Sequence, residues 1–188
     1  MFIGEGKDQR RINIKTLIDG NVKIRRLKDD DIELLYKMIN DKAIQEYVVG
    51  DSKEVTREDH QTWFTKHKND VGRFMITYND NSVGAISLTN IDYKNFVATI
   101  NIKLASSDVK NKGIGLKAVN LILKYAFKDL AMNCIEAKIL DYNKPSIRLF
   151  EKCGFMYEGT LRQRIYKNNN IYDLKVFSIL RDEFDKIE

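Results

Sequence analysis

Val109-Lys110-Asn111-Lys112-Gly113-Ile114-Gly115, followed downstream by Asn143-Lys144-Pro145-Ser146 and Glu151-Lys152-Cys153-Gly154-Phe155, is the stretch whose reading decides the fold. It opens as a basic, glycine-containing turn and runs straight into a helical pattern. Ile114, Ala118, Leu121, Ile122 and Tyr125 fall on one face, and Lys117, Asn120, Lys124 and Lys128 on the other. The first N–H groups of a helix lack intrahelical partners, so such a turn gathers donors and positive charge where an anion can sit. Gly113 and Gly115 keep side chains out of a phosphate's approach, and Lys110 and Lys112 add charge. Further on, Asn133 to Leu140 has strand length, Pro145 suits the first turn of a helix over Ser146 to Lys152, and Gly154 ends that helix.

Upstream of this stretch three strand patterns follow one another, Arg73 to Tyr78, Val83 to Ile91 and Phe96 to Leu104. They are separated by the turns Asn79-Asp80-Asn81 and Asp92-Tyr93-Lys94-Asn95, which predicts an antiparallel meander. Gly84 inside the second run marks a bulge or a close backbone approach. Earlier, Thr56-Arg57-Glu58-Asp59 resembles a capping box for a helix carrying Trp63, Phe64 and His67. Asp29-Asp30-Asp31 offers N-caps to a helix with Ile32, Leu35, Met38 and Ile39 on one side. Between these helices Ala43 to Ser52 is expected to be an irregular loop able to shape a pocket. At the front, residues 1 to 11 are polar and irregular, and Asp19-Gly20-Asn21 followed by Val22 to Leu27 predicts a turn and a first strand, or a hairpin. At the other end, Phe155 to Tyr166 and Ile171 to Leu180 predict a closing hairpin around Lys167-Asn168-Asn169-Asn170, with a charged tail needing no function.

The 188 residues, 43% hydrophobic and 31% charged, fit one domain over 1–188 with a core at about 22–181. The formal charge of +5 points to phosphate-bearing partners before nucleic acid, because the lysines are dispersed over helix faces and not interleaved with aromatics. Cys134 and Cys153 are too few for a disulfide framework and form no metal-ligand spacing with His60 or His67, so no metal is expected. The charged start Met1 to Asp8 is unlike a secretory signal, and no run is long and apolar enough for a membrane span; a cytoplasmic location without membrane partners is expected. The acidic triplet reads as a cap rather than a metal site, and His60 as a core or surface residue rather than a base.

Lys110-Asn111-Lys112-Gly113-Ile114-Gly115 resembles the acetyl-CoA motif of the GNAT acetyltransferase superfamily, Gln/Arg-x-x-Gly-x-Gly/Ala, with Lys110 in the Gln/Arg place. Asn143 with Pro145-Ser146, and Glu151-Lys152-Cys153-Gly154-Phe155, are similar to that family's Asn…Glu-Lys-x-Gly-Phe. Glu158-Gly159-Thr160-Leu161-Arg162 and Tyr172-Asp173 resemble the branch of ribosomal-protein and spermidine acetyltransferases. Trp63-Phe64, Val83 to Ile86 and Asn90 to Tyr93 look most like the branch acting on a UDP-amino sugar in pseudaminic acid synthesis. The likeness spans roughly residues 22 to 181 by element order. A Walker loop would need Gly-Lys-Ser/Thr where Gly115 is followed by Leu116 and Lys117, and a Rossmann fingerprint would not follow an antiparallel meander.

The resemblance implies an α+β GNAT fold: one mixed, mostly antiparallel sheet, helices on both faces, and two central strands, Phe96–Leu104 and Asn133–Leu140, splayed to pair with the cofactor's pantetheine arm. It implies acetyl-CoA as co-substrate, with Ile102 and Leu104 giving backbone near the acetyl group. Lys110, Lys112, Gly113, Ile114, Gly115 and Leu116 would hold the pyrophosphate, and Asn143 the pantetheine arm, unless Asn143 only caps the helix at Pro145. The expected activity is N-acetylation by direct attack of an amine. The acceptor is a nucleotide-linked amino sugar, a polyamine or a protein N-terminus, with net charge leaning to a phosphorylated one. The oligomeric state is left open, a homodimer included.

Two family positions depart from the pattern. Phe150 stands where many relatives place a tyrosine general acid, and Thr99 lies in the strand segment where they often place a glutamate base. Tyr142 is the substitute considered for the acid. Glu46, Asp92, Glu136 and Asp141 are considered for the base, which stays unassigned. Deprotonating an alkyl amine of pKa about 10.4 near neutrality costs roughly 4 kcal/mol, while a thiol is only a unit or two from ambient pH, so losing the acid need not stop transfer. The two departures keep open a non-catalytic acyl-CoA-binding module.

Overall fold

Strand-forming runs and short turns alternate through the chain, and the computed structural model, which describes residues 15–50, 54–105 and 112–186, joins them into one eight-stranded sheet. In chain order the elements begin with β1 (Leu17–Asp19), β2 (Val22–Arg26), a single 3-10 turn over Asp29–Asp31, α1 (Ile32–Asn40), α2 (Lys42–Gln45) and α3 (Arg57–His67). The meander follows as β3 (Arg73–Tyr78), β4 (Asn81–Asp92) and β5 (Val97–Leu104), then α4 (Ile114–Lys124). The chain closes with β6 (Cys134–Leu140), α5 (Lys144–Lys152), β7 (Met156–Lys167), β8 (Asn170–Leu180) and α6 (Arg181–Phe184). Sheet order is β1-β2-β3-β4-β5-β6-β8-β7. Every neighbouring pair is antiparallel except β5 and β6, the pair bridged by α4.

Side-chain alternation divides the sheet between two layers. Ile24, Phe74, Ile76 and Ile86 bury into a large core with Ile114, Ala118, Ile122 and Tyr125 from α4 and its extension. Met75, between Phe74 and Ile76, points to the opposite face, where it joins Leu35 of α1 and Phe64 of α3. Tyr125–Asp129 widens into one π turn, and Tyr125 donates its hydroxyl to the Val71 carbonyl at 3.1 Å while its ring meets Phe74 edge-on. The hairpin is fixed to the same core by Phe177 and Ile179.

The meander, the Asp19-Gly20-Asn21 hairpin and the Thr56 cap stand where the sequence puts them: Thr56 Oγ1 accepts from the Asp59 N–H at 3.1 Å. Gly84 shows both expected features, a register shift beside it and an approach so close that a Cβ there would lie 2.4 Å from the Lys103 carbonyl. Two expectations change. Asp31 stands at the N-cap of α1 but its side chain makes no capping bond there. It is drawn instead into a two-pronged pair with Arg25 of β2 (2.7 and 2.8 Å) and accepts the Lys28 N–H. The segment from Ala43, expected to be irregular, begins inside α2, which Asp41 caps through the Ala43 and Ile44 N–H groups. The charged tail folds on as α6, its Phe184 buried against Phe127 and its Arg181 donating to the Ala131 and Met132 carbonyls.

Candidate active site

The sheet opens at its one parallel pair. β5 and β6 are in register only over Val97–Thr99 and Cys134–Glu136, yet β5 stays paired to β4 as far as Leu104↔Gly84 and β6 to β8 as far as Leu140↔Leu174. Beyond Thr99 the two strands therefore part. Cys134 N–H donates to the Phe96 carbonyl and Ala105 N–H to that of Val83, so even-numbered residues of β5 face β6 and odd-numbered ones face β4. The main-chain groups of Ile102 and Leu104 thus turn into the gap where β6 no longer reaches them, a strand edge inside a sheet that no described residue pairs with.

At the start of α4, Gly113 is the N-cap with φ of 73°, the left-handed conformation that glycine adopts without strain, and no side chain caps the helix. The first intrahelical bond runs from Lys117 N–H to the Gly113 carbonyl, which leaves the N–H groups of Ile114, Gly115 and Leu116 without helical partners. Ile114 is 1% exposed, so only its backbone is available to a ligand, while Leu116 packs against the core. A Cβ on Gly115 would stand 3.3 Å from Leu149, so this glycine also lets α4 approach α5. Lys112 is exposed, its ammonium 6.0 Å from the centre of the Tyr78 ring. Lys110 lies outside the described residues.

Beside the C-terminal end of β6 lies a cavity of about 860 Å³. Among the described residues Glu46, Glu54 and Asp141 line it against one lysine, Lys42, with the rings of Tyr142 and Tyr172 4.8 Å apart. Asp141 Oδ1 is buried and has no hydrogen-bond partner among the described residues. Gln45 and Glu46 of its lining begin the segment 45–48, whose four successive carbonyls are each held by a side chain from elsewhere. Lys167, 4% exposed, donates to Gln45 O and, at 2.6 Å, to Val48 O; Tyr142 donates to Glu46 O at 2.6 Å, and Asn143 Nδ2 to Tyr47 O at 3.4 Å. Sequence reading gives no sign of the Lys167 contact, because a lysine beside an Asn-rich hairpin turn has the pattern of a solvated residue.

The candidate catalytic groups sort by their surroundings. Phe150 is buried edge-on against Phe155 and carries no proton to give. Burial, then the neighbouring Tyr172, Glu46, Asp141 and Tyr47, raises the pKa of Tyr142 and keeps its phenol protonated. Its proton points at the Glu46 carbonyl, so acid catalysis by Tyr142 requires that bond to break. Asp92 is spent on the turn, accepting from the Lys94 and Asn95 N–H groups, and Glu136 pairs with Lys138 at 3.3 Å. Glu46 and Asp141 alone of the four base candidates line the cavity. Burial raises the Cys134 thiol and pushes Cys153 up to about 12, which disfavours either thiolate as a nucleophile. His60 stacks on Trp63 and meets Tyr36 edge-on, with its pKa lowered by burial, and belongs to the α1–α3 layer. No cluster of three or more His, Cys, Asp or Glu among the described residues could hold a metal.

A family model described as an acetyltransferase (GNAT) domain matches residues 21–156, from β2 through the gap and α5. The chain belongs to the GNAT acetyltransferase family. Among its relatives, the SPbeta prophage-derived uncharacterized N-acetyltransferase YokL of Bacillus subtilis (strain 168) is 30% identical over 170 residues, covering 88% of this chain and 93% of its own. The spermidine N(1)-acetyltransferase of Vibrio cholerae is 24% identical over 170 residues, covering 89% and 97%. The same fold is seen in a crystal structure of spermidine N-acetyltransferase from Vibrio cholerae in complex with CoA and spermine (TM-score 0.81, 24% identity, 88% of this chain and 99% of that one). As a GNAT enzyme, this chain is an N-acetyltransferase that takes its acetyl group from acetyl-CoA. Among the described residues no helix is long and apolar enough to cross a membrane.

Proposed function

We propose that this GNAT enzyme acetylates a small cationic primary amine of the polyamine kind, held in the cavity beside β6 and attacking acetyl-CoA directly. The observation that carries this reading is the cavity's composition: among the described residues, three carboxylates against one lysine, with a buried Asp141 oxygen that has no hydrogen-bond partner among them. A desolvated carboxylate oxygen without a partner calls for a cationic donor, and two tyrosine rings line the same cavity. The spermidine enzyme of Vibrio cholerae among the relatives is consistent with such an acceptor. A phosphorylated amino sugar, which net charge favours, would meet local charge of the wrong sign here.

The residues present fit the donor. Ile102 and Leu104 offer the free main-chain groups that an amide-bearing pantetheine arm needs, and the Ile114, Gly115 and Leu116 N–H groups, with Lys112 and Lys110 beside them in sequence, suit a pyrophosphate. Asn143 is 7% exposed; its Oδ1 accepts from Ser146 N–H at 3.2 Å, so it reaches the pantetheine only through what its amide has left after Tyr47. In the reaction the amine nitrogen bonds to the acetyl carbon and the carbon–sulfur bond breaks. Glu46 or Asp141, through water, accepts the proton the amine gives up, and solvent protonates the thiolate.

Steady-state kinetics with spermidine, a UDP-amino sugar and a peptide N-terminus test the acceptor. Saturable thiol release with spermidine is expected, and Asp141→Asn should raise its KM by about tenfold, the scale of one charge-assisted contact, with acetyl-CoA affinity unchanged. Preference for the UDP-amino sugar would overturn the cationic-acceptor reading and leave the acetyltransferase standing.

A further inference from the structure

We propose that Lys103 is a self-acetylation site: in the absence of an amine acceptor its side-chain nitrogen takes the acetyl group from acetyl-CoA lying along the β5–β6 gap. The proposal rests on that cofactor placement and not on the identity of the acceptor. Lys103 stands between Ile102 and Leu104, the two residues whose main-chain groups face the gap, so its Cα is one residue step, about 3.8 Å, from the Cα of each. Ile102 and Leu104 turn their side chains to the main core. Lys103, paired across the sheet with Ala85, projects from the other face, the one covered by α1 and α3, whose α1 also lines the acceptor cavity. A flexible four-carbon stem thus starts at the gap's edge and carries its amine onto the side from which an acceptor attacks.

The amine is also uncommitted. Lys23 and Lys117 each hold a carboxylate, at 2.6 and 3.0 Å, and Lys167 holds two carbonyls, whereas Lys103, half-buried, makes no hydrogen bond or ion pair with any described residue. Burial, and then the cations Lys167 and Arg73, lower its pKa and raise the share of neutral nucleophile. In the step itself, neutral Nζ adds to the thioester carbonyl carbon, the carbon–sulfur bond breaks, and the proton lost by nitrogen passes through solvent to the departing thiolate. An amide on Lys103 and free CoA are the products, and no further reactant is required.

The test is to incubate the full chain with acetyl-CoA alone, quantify acetylation of each lysine by peptide mass spectrometry, and measure acetyl-CoA binding by calorimetry on the same sample. Lys103 should be labelled at least about tenfold faster than the exposed Lys66 and Lys152, although it is less accessible. Excess CoA should suppress labelling at Lys103 and not at those two, and Lys103→Arg should remove the fast site. Labelling of Lys103 no faster than the exposed lysines, or indifferent to CoA, overturns the proposal. Acetyl-CoA binding without fast labelling sinks this inference alone; absence of binding sinks the cofactor placement with it.

Discussion

Lys167 and Tyr142 share one task, holding the segment 45–48, and they separate cleanly by mutation. Lys167→Met removes two bonds from a buried ammonium, each charge-assisted contact being worth about 1.5–3 kcal/mol. The expected result is a rise of about 10- to 100-fold in KM for the amine, with the acetyl-CoA dissociation constant unchanged and partial rescue by Lys167→Arg; equal losses for both substrates would mean general unfolding instead. Tyr142→Phe loses a single neutral bond, about 1 kcal/mol, so kcat should stay within about threefold. Because its pKa is raised, a Tyr142 acting as acid would stay protonated well into alkaline conditions. A fall in kcat of about two orders of magnitude, with a changed alkaline limb, would restore it to that role.

Among the elements, β2 and the start of α1 are joined by the Arg25–Asp31 pair, and here the charge states give a stability prediction. Burial alone would raise the Asp31 pKa, but hydrogen bonds from Arg25 and the Lys28 N–H prevail and hold it below the usual carboxylate value. A depressed folded-state pKa contributes stability above the unfolded value, near 3.9, that is lost as pH falls through the folded value. Asp31→Asn should therefore flatten the acid limb of a denaturation-versus-pH curve, and Arg25→Met, which strands a buried carboxylate, should cost about 3 kcal/mol near neutrality. At α4, Gly113→Val forces a β-branched residue to positive φ at a cost of about 1–3 kcal/mol and places a side chain by the free N–H groups. Loss of acetyl-CoA binding beyond that stability loss is expected by calorimetry. Elements of this kind were legible because their signals are local: period-two alternation gives β3, β4 and β5, and a glycine turn before a 3.6-residue period gives α4. The clamp on 45–48 was not, since Lys167 and Val48 lie 119 residues apart and nothing in either neighbourhood marks the other. Asp31 misled for the same reason: an aspartate before a helix looks like a cap until Arg25 is brought beside it.

At the scale of the whole molecule the chain carries +5, yet the cavity beside β6 is acidic, so the sum of charges pointed away from the acceptor that the local surroundings favour. We propose that the chain unfolds as a single domain, because the first strands and the closing hairpin bury Val22, Ile24, Phe177 and Ile179 in one core with α4. A single thermal transition, shifted upward by saturating acetyl-CoA, is expected, and two separated transitions would refute the single unit. The central claim is transfer of acetyl from acetyl-CoA to a cationic amine, and mass-spectrometric detection of product from the purified chain with acetyl-CoA and spermidine tests it most directly. Acetylspermidine should form in step with free CoA at a rate that saturates with spermidine and falls in Asp141→Asn; CoA release that no amine accelerates above the rate without acceptor would contradict it.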